Sequence, residues 1–331
     1  MRKHGMWFLS IVVCAGLVGA RATGETWRLK DGEAWEPVEA DPQEQFRHAV
    51  AELKDLVRAG DKEALKERLA QVEAEFPDRV GPDLRWFLGG ELYYWRDNYT
   101  KSLVKFERLM KDYPGSEYVE PALDREFDIG MAYLRGRKKS VLGILKLSAY
   151  DEGIEIMERI SDRAGLDDPN GVGLRAAIAV AEHFERRDQY LEAHLKWAEI
   201  ASYWETGPIG KRALYRMAEN NMAAYNEPPV ERRPHLDASK LTAARTYYEK
   251  FQVLYPEEAK EREVPQKIER IDEQMAYKQF TIGQYYRRTG EPTAANLYFD
   301  MVVDGWPETE AAEMARAALD ENLAVEAAGG K

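Results

Sequence analysis

The histidines and carboxylates are the side chains of this sequence that are best suited to chemistry. His183 and His194 are eleven residues apart, and Glu182 and Glu185 lie close to the first of them. Imidazole and carboxylate groups bind zinc when several converge, so a metal site is one interpretation, and two histidines on helix surfaces are the other. The sequence has a single cysteine and lacks the HExxH, P-loop and GxSxG motifs of metalloproteases, nucleotide-binding proteins and serine hydrolases. We therefore predict no catalytic centre, no metal and no cofactor.

The clearest pattern in the chain lies in residues 83–114. Six residues have the types and spacing of a tetratricopeptide repeat: Trp86, Gly90, Tyr93, Ser102, Phe106 and Pro114. The glycine allows two antiparallel helices to approach closely, and Phe106 fills the space between them. Pro114 ends the second helix because it cannot continue the hydrogen-bond ladder. The pattern predicts a fold and says little about chemistry.

Weaker copies of this pattern continue along the chain, beginning with a degenerate repeat at 46–77. In the later second helices a small residue precedes a large apolar one by four positions: Gly153 and Met157, Ala193 and Trp197, Ala244 and Tyr248, Ala295 and Phe299. We predict an all-α tetratricopeptide superhelix of five to six helix pairs over 41–325. A C-terminal capping helix at 308–325 would end it, and 326–331 would form a frayed tail.

Two insertions interrupt the predicted array. Residues 226–237 contain three prolines, which we expect to forbid a helix. Residues 135–150 carry five basic side chains around the apolar run VLGIL, in a chain whose net charge is −12. This basic insertion either extends the first helix of the third pair or contacts a partner or a membrane surface.

In tetratricopeptide arrays the first helix of each pair lines a concave groove. The residues predicted to face the groove in the second, third and fourth pairs are Phe87, Glu91, Tyr94, Trp95, Phe127, Met131, Arg135, Glu182 and Arg186. The early groove is aromatic and apolar, which suits an extended hydrophobic peptide. The alternative is that some of these aromatic side chains pack on an extended N-terminal arm, predicted at 23–40.

A long helix is predicted at 264–289. Its length would be nearly 40 Å, more than a repeat helix needs. Glu269, Arg270, Glu273 and Gln274 lie on successive turns of its first half. We predict that they form a docking face for a protein partner; the alternative is that the extension only braces the fifth pair against the sixth.

The N-terminus is predicted to be a secretory signal peptide, residues 1–22. Two basic residues precede a short apolar run, and an A-R-A cleavage site ends at Ala22. An uncleaved N-terminal anchor is the alternative. Val13 rather than a small residue precedes Cys14, so the sequence lacks a lipobox and we do not expect lipidation.

The chain is markedly acidic. Cleavage after Ala22 would remove three of its 47 basic residues and none of its 59 acidic ones, which would change the net charge from −12 to −15. Proteins that bind nucleic acid expose a basic face, so we expect no nucleic-acid partner.

The C-terminal part has a more specific order of segments. A proline-rich interruption is followed by LDASKLTAARTYYEKFQVLYP, by the long helix, and by GQYYRRTGEPTAANLYFDMVVDGWPETEAAEMA. This order resembles the BamD family, the tetratricopeptide components of the outer-membrane β-barrel assembly machinery, over most of 83–318. The resemblance implies a lipid-anchored periplasmic scaffold that is not an enzyme. In that family the C-terminal repeats dock the barrel-assembly protein, and the N-terminal repeats are implicated in handling unfolded barrel substrates.

This sequence departs from the family in lacking a lipobox, in its N-terminal arm and basic insertion, and in its acidity. We expect an exported protein, periplasmic or associated with the outer membrane, directly through an uncleaved N-terminus or through a partner. Its partners would be β-barrel assembly components or unfolded outer-membrane protein segments. A tetratricopeptide adaptor in cell-wall synthesis or division is the alternative.

Overall fold

A computed structural model describes residues 26–30, 34–38, 41–141 and 145–329. The predicted signal peptide lies outside this part of the chain. The chain divides into two compact units, Met1–Arg96 and Asp97–Lys331. Each unit is described by itself.

The described residues of the first unit form a hairpin and three helices. In chain order these are β1 (Thr26–Lys30), β2 (Ala34–Val38), α1 (Pro42–Ala59), α2 (Lys62–Glu75) and α3 (Pro82–Tyr94). The two strands are antiparallel, with Thr26 opposite Val38. They occupy the segment that was predicted to be an extended arm.

Helix α1 organises the rest of the first unit and packs against both α2 and α3. It begins at Asp41, whose carboxylate accepts a hydrogen bond of 2.9 Å from the Gln43 amide, as an N-cap residue does. Arg68 of α2 lies 2.8 Å from Glu52 of α1, and this ion pair ties the two helices together. They form a helix pair in the region of the predicted degenerate repeat.

The second unit is built from helices, with one more short hairpin. In chain order its segments are α4 (Tyr99–Asp112), α5 (Val119–Leu134), β3 (Lys139–Val141), β4 (Leu145–Leu147), α6 (Tyr150–Ala164), α7 (Val172–Arg186), α8 (Tyr190–Tyr203), α9 (Gly207–Asn226), a 3₁₀-helix (Val230–His235), α10 (Ser239–Leu254), α11 (Pro256–Glu261), α12 (Val264–Thr289), α13 (Pro292–Gly305) and α14 (Glu310–Gly329). From α4 to α10 each helix packs against the next, and α12 then packs against α10, α13 and α14. This stacking confirms the predicted all-α tetratricopeptide fold.

The large residues predicted to lie between paired helices form the core of the second unit. Phe106, Trp197, Tyr248 and Phe299 are each 0% exposed. A Cβ atom at Gly283 of α12 would lie 2.6 Å from the Phe299 ring, so only glycine permits this close approach. The close approach of Gly283 to Phe299 confirms the predicted pairing of α12 with α13.

The basic insertion does not extend α5, so the first interpretation of 135–150 is wrong. Helix α5 ends at Leu134, and Gly136 follows with φ 95°, a left-handed conformation typical of helix ends. The amides of Gly136 and Arg137 donate to the carbonyls of Tyr133 and Ala132 at 2.9 and 3.0 Å, which closes the helix end. The chain then turns into β3 and β4.

The other two differences from prediction concern short segments. The proline-rich insertion 226–237 contains a 3₁₀-helix, which is wound more tightly than an α-helix. It accommodates Pro234, which has no backbone N–H, because so short a helix contains few backbone hydrogen bonds. Helix α14 continues to Gly329, four residues beyond the predicted end at 325.

Candidate protein-binding site

The two histidines that could have bound a metal make other contacts. His183 is 2% exposed, which corrects its predicted place on a helix surface, and its ring lies 5.3 Å from that of Tyr150. Burial, followed by the nearby Arg186, lowers the pKa of His183. The Nδ1 atom of His194 lies 2.9 Å from the side-chain amide of Asn221. Across the part of the chain that the structure describes, no three His, Cys, Asp or Glu side chains are placed to hold a metal ion.

The four predicted groove residues of α3 differ in their accessibility. Phe87 and Glu91 are each 2% exposed, and the Nζ atom of Lys54 lies 5.1 Å from the centre of the Phe87 ring. Tyr94 and Trp95 pack edge to face at 5.4 Å, and Trp95 is 44% exposed. Burial leaves Phe87 and Glu91 unable to meet a partner in this conformation, because neighbouring residues already cover them.

The predicted groove residues of α5 are more open. Phe127 is half-buried beneath the guanidinium group of Arg175, which lies 4.5 Å from the ring centre. Arg175 also pairs with Asp124 at 3.1 Å. Met131 is half-buried and Arg135 is exposed. This face is therefore partly covered by α7 and accessible at the end of α5.

The predicted groove residues of α7 take part in ion pairs within the chain. Glu182 pairs with Arg212 of α9 and lies 3.9 Å from Arg186 of its own helix. The Arg212 guanidinium also lies 5.1 Å from the centre of the Trp197 ring. These charges join successive helices, so a partner would have to compete with existing pairs.

The four predicted docking residues of α12 do not act as one exposed face. Glu273 accepts hydrogen bonds from the backbone amides of Glu310 and Ala311, at 2.8 and 3.1 Å, and so caps the N-terminus of α14. Gln274 donates to Asn226 at 2.9 Å. Glu269 and Arg270 are exposed, and neither forms a hydrogen bond or an ion pair with any residue that the structure describes.

Two adjoining cavities lie beside this stretch of α12, and we call them together the α9–α12 groove. One has a volume of about 540 Å³ and is lined by Glu219, Met222, Asn226, Arg233, Lys267, Arg270, Glu273 and Gln274. The other has a volume of about 220 Å³ and is lined by Tyr225, Val230, Arg233, Pro234, Glu273, Gln274 and Tyr277. Three of the four predicted docking residues therefore line one continuous depression.

An ion-pair network anchors one end of this groove. Lys267 pairs with Glu219 and donates to the Tyr215 hydroxyl at 2.7 Å, and the Tyr248 hydroxyl also donates to Glu219. Burial alone would raise the pKa of Glu219, but the hydrogen bonds from Lys267 and Tyr248 lower it. Burial and the neighbouring carboxylate raise the pKa of Tyr248. The network fixes α12 against α9 and α10 and leaves Glu219 ionised.

The sequence patterns missed the groove residues outside α12, such as Tyr225 and Arg233, and also Tyr277 of α12. Repeat spacing finds residues that pack between paired helices, whereas these residues meet because the 226–237 segment follows the end of α9 and folds across the middle of α12. The three prolines in that segment indicated an irregular backbone, but they did not indicate which helices the segment would contact. If the predicted docking face of α12 had been extended by one helical turn beyond Gln274, it would have included Tyr277.

Two family models match parts of the chain. A family described as outer-membrane lipoprotein, YfiO, matches residues 189–326, which is less than half of the sequence, and a tetratricopeptide repeat matches residues 86–116. No curated protein matches the chain significantly. Among the described residues, no helix is both long and apolar enough to cross a bilayer.

Two solved structures are similar over most of the chain. PilW, described as a widely conserved type IV pilus biogenesis factor, is 14% identical, with a TM-score of 0.28 over 82% of this chain and 97% of its own. The C-terminal part of a TPR repeat-containing protein from Cytophaga hutchinsonii is 12% identical, with a TM-score of 0.33 over 82% and 95%. The family models support a tetratricopeptide interaction fold whose C-terminal part is similar to an envelope lipoprotein family.

Proposed function

We propose that this chain is a non-enzymatic scaffold of the cell envelope that binds protein partners during outer-membrane protein assembly. The observation that carries the proposal is the match of residues 189–326 to an outer-membrane lipoprotein family. That range begins at α8, runs into α14 and includes every residue that lines the α9–α12 groove. The matched region and the candidate binding surface thus coincide.

The proposed location is the periplasm or the periplasmic face of the outer membrane. Its support is the description of the matched family, together with the signal-peptide pattern of residues 1–22. The basic insertion 135–150 and the exposed ends of α3 and α5, at Trp95 and Arg135, are further proposed contact surfaces.

The contacts of α12 identify Glu269 as the residue with which to test partner binding. It is exposed and has no intramolecular partner among the described residues, so its charge is available to a protein that docks there. Charges at the rim of an interface mainly set association rate and partner choice rather than stability. Glu273 is unsuitable for the same purpose, because its reversal would also remove the cap of α14.

The test is affinity purification of the full chain from its native envelope, followed by mass spectrometry. We expect outer-membrane assembly proteins to be recovered with the wild type, and less of them with Glu269→Lys. The matched control is Glu155→Lys, an equal charge change at an exposed position of α6 without a described partner. Circular dichroism should show the same helical content in all three proteins.

Recovery of cell-wall synthesis or division proteins in place of outer-membrane assembly proteins would contradict the proposal. Equal recovery of assembly proteins with the wild type, Glu269→Lys and Glu155→Lys would be consistent with the scaffold proposal but would show that the partner does not contact Glu269. The basic insertion would then be the next surface to change.

A further inference from the structure

The wall of the α9–α12 groove is held in place before any partner arrives. Arg233 donates from Nε and Nη2 to the carbonyls of Pro228 and Asn226, at 2.9 and 2.7 Å. The Tyr225 hydroxyl donates to the Arg233 carbonyl at 2.7 Å. Lys278 of α12 donates to the carbonyl of Pro234 at 3.0 Å. The segment is thus tied to both flanking helices, and a preorganised wall lowers the entropy cost of binding.

The groove keeps positive charge that the chain does not neutralise. Arg233 donates to carbonyl groups, which carry no net charge, and Arg270 has no described hydrogen-bond or ion-pair partner. The positive charge of Lys267 is balanced by Glu219, and Glu273 keeps its negative charge because the amides of α14 that it accepts from carry no net charge. The lining of the larger cavity therefore holds three positive side chains against two negative ones, and this excess of one positive charge is a local reversal of sign in a chain of net charge −12.

Between the two cavities lies an amide with an unmet hydrogen bond. Gln274 donates to Asn226, while its Oε1 atom is buried and has no partner among the described residues. A buried acceptor without a donor is unfavourable. Gln274 lines both cavities, so the backbone N–H of an extended peptide bound there would supply the missing donor.

The smaller cavity supplies an apolar pocket next to this amide. Val230 is 64% exposed and Tyr277 is 45% exposed, and both line it with Tyr225 and Pro234. Its volume of about 220 Å³ offers room for one apolar side chain. Positive charge, an unmet acceptor and an apolar pocket therefore lie side by side.

We infer that the α9–α12 groove docks an extended acidic segment of a partner protein. A carboxylate of that segment meets Arg270 and Arg233, a backbone N–H donates to Gln274, and an apolar side chain of the same segment enters the smaller cavity. The inference rests on the proposed function, because it presumes a protein partner, and it adds the chemistry by which that partner is recognised.

The experiment measures binding of three fluorescein-labelled peptide pools to the purified full chain by fluorescence anisotropy. The pools have equal length and a central leucine or phenylalanine, flanked by Asp and Glu, by Asn and Gln, or by Lys. We expect the acidic pool to bind at least about tenfold more tightly than the neutral pool, and the basic pool not to bind, because charge complementarity suppresses the wrong partners.

Two variants and one matched control locate the binding site. Arg270→Glu should weaken binding of the acidic pool by about tenfold or more. Gln274→Met should also weaken it; because this change removes the hydrogen bond to Asn226 together with the unmet acceptor, circular dichroism should confirm that the helical content is unchanged. Arg288→Glu makes the same charge change on the same helix, at an exposed position without a described partner, about 27 Å away along the axis. It should bind like the wild type.

Three outcomes would overturn the inference: equal binding of the acidic and neutral pools, equal loss in Arg270→Glu and Arg288→Glu, or Arg270-dependent binding of phosphatidylglycerol vesicles without peptide binding. The last would assign the groove to a lipid surface. The scaffold proposal fails independently, through recovery of the wrong proteins from the envelope. A fourth outcome separates the two proposals: equal recovery of assembly proteins with the wild type and with Arg270→Glu would overturn the groove inference and leave the scaffold proposal standing.

Discussion

The carboxyl group of Glu126 has an unusual environment for an ionisable side chain. Glu126 of α5 is 0% exposed, and neither of its oxygens has a hydrogen-bond partner among the described residues. Burial, followed by the nearby Glu107, raises its pKa to about 8, although Arg159 and Arg163 oppose the shift. Both arginines are already paired with Glu107, at 3.2 and 3.0 Å, which limits how far they can lower the pKa of Glu126. Glu126 is therefore protonated in the folded chain at neutral pH.

We predict that this proton makes the stability of the chain depend on pH. Between the unfolded pKa of 4.5 and about 8, the folded chain holds a proton that the unfolded chain has lost. The free energy of unfolding should therefore fall as pH rises through this window, by about 1.4 kcal/mol per pH unit from this group. Glu126→Gln should lack this contribution, so it should be more stable than the wild type near the upper end. Urea unfolding across the window measures both effects.

The matched control for this prediction is Glu155→Gln, which removes an exposed carboxylate from the neighbouring helix α6. It should keep the wild-type slope. An equally steep slope in Glu126→Gln would mean that Glu126 is ionised in the folded chain.

At the scale of the helix, α14 depends on a side chain from α12. The first amides of a helix have no partner inside it, and Glu273 supplies one carboxylate for two of them. We predict that Glu273→Ala destabilises the chain by about 0.5–2 kcal/mol, as loss of an N-cap does. Hydrogen exchange should become faster at Glu310 and Ala311. Glu269→Ala, one turn earlier on α12, should leave that exchange at the wild-type rate.

The contact between α12 and α13 is another local dependence. Phe299 is fully buried against Gly283, and its ring lies 5.5 Å from that of Phe280. Truncation to alanine should cost about 3–5 kcal/mol. Because such arrays are held by nearest-neighbour interfaces, protection from hydrogen exchange should be lost first in α12, α13 and α14. Phe106→Ala should have the same effect at α4 and α5, and an unchanged melting curve for either variant would contradict its predicted place in the repeat.

The sequence predicted the helices better than the surfaces between them. Trp197 and Tyr248 were placed in the core correctly, because their burial follows from spacing within one helix pair. Phe87 was expected in a groove and is buried, because α1 contributes Lys54 to cover its ring. Glu273 was expected to be free and instead caps a helix 37 positions later. Contacts between separate pairs depend on packing that a local pattern does not encode.

At the scale of the whole molecule, the net charge and the local positive sites have different roles: the first favours solubility and the second favour recognition of a partner. A net charge of −12 keeps like molecules apart and disfavours anionic surfaces. Against that background the basic insertion and the two arginines of the α9–α12 groove are local exceptions. Local sign reversals of this kind can steer an acidic partner without changing the overall repulsion.

The last prediction concerns how the chain is processed on export. We expect removal of residues 1–22 and a mature chain that begins at Thr23 without attached lipid, because the A-R-A motif ends at Ala22 and Val13 precedes Cys14. The mature chain would then contain no cysteine, and its charge would be −15, since three basic residues leave and no acidic one does. Intact-mass measurement of the protein from native membranes tests this. A chain that begins at a diacylated Cys14 would contradict the prediction and would bring the protein closer to the lipoprotein family that its C-terminal part resembles.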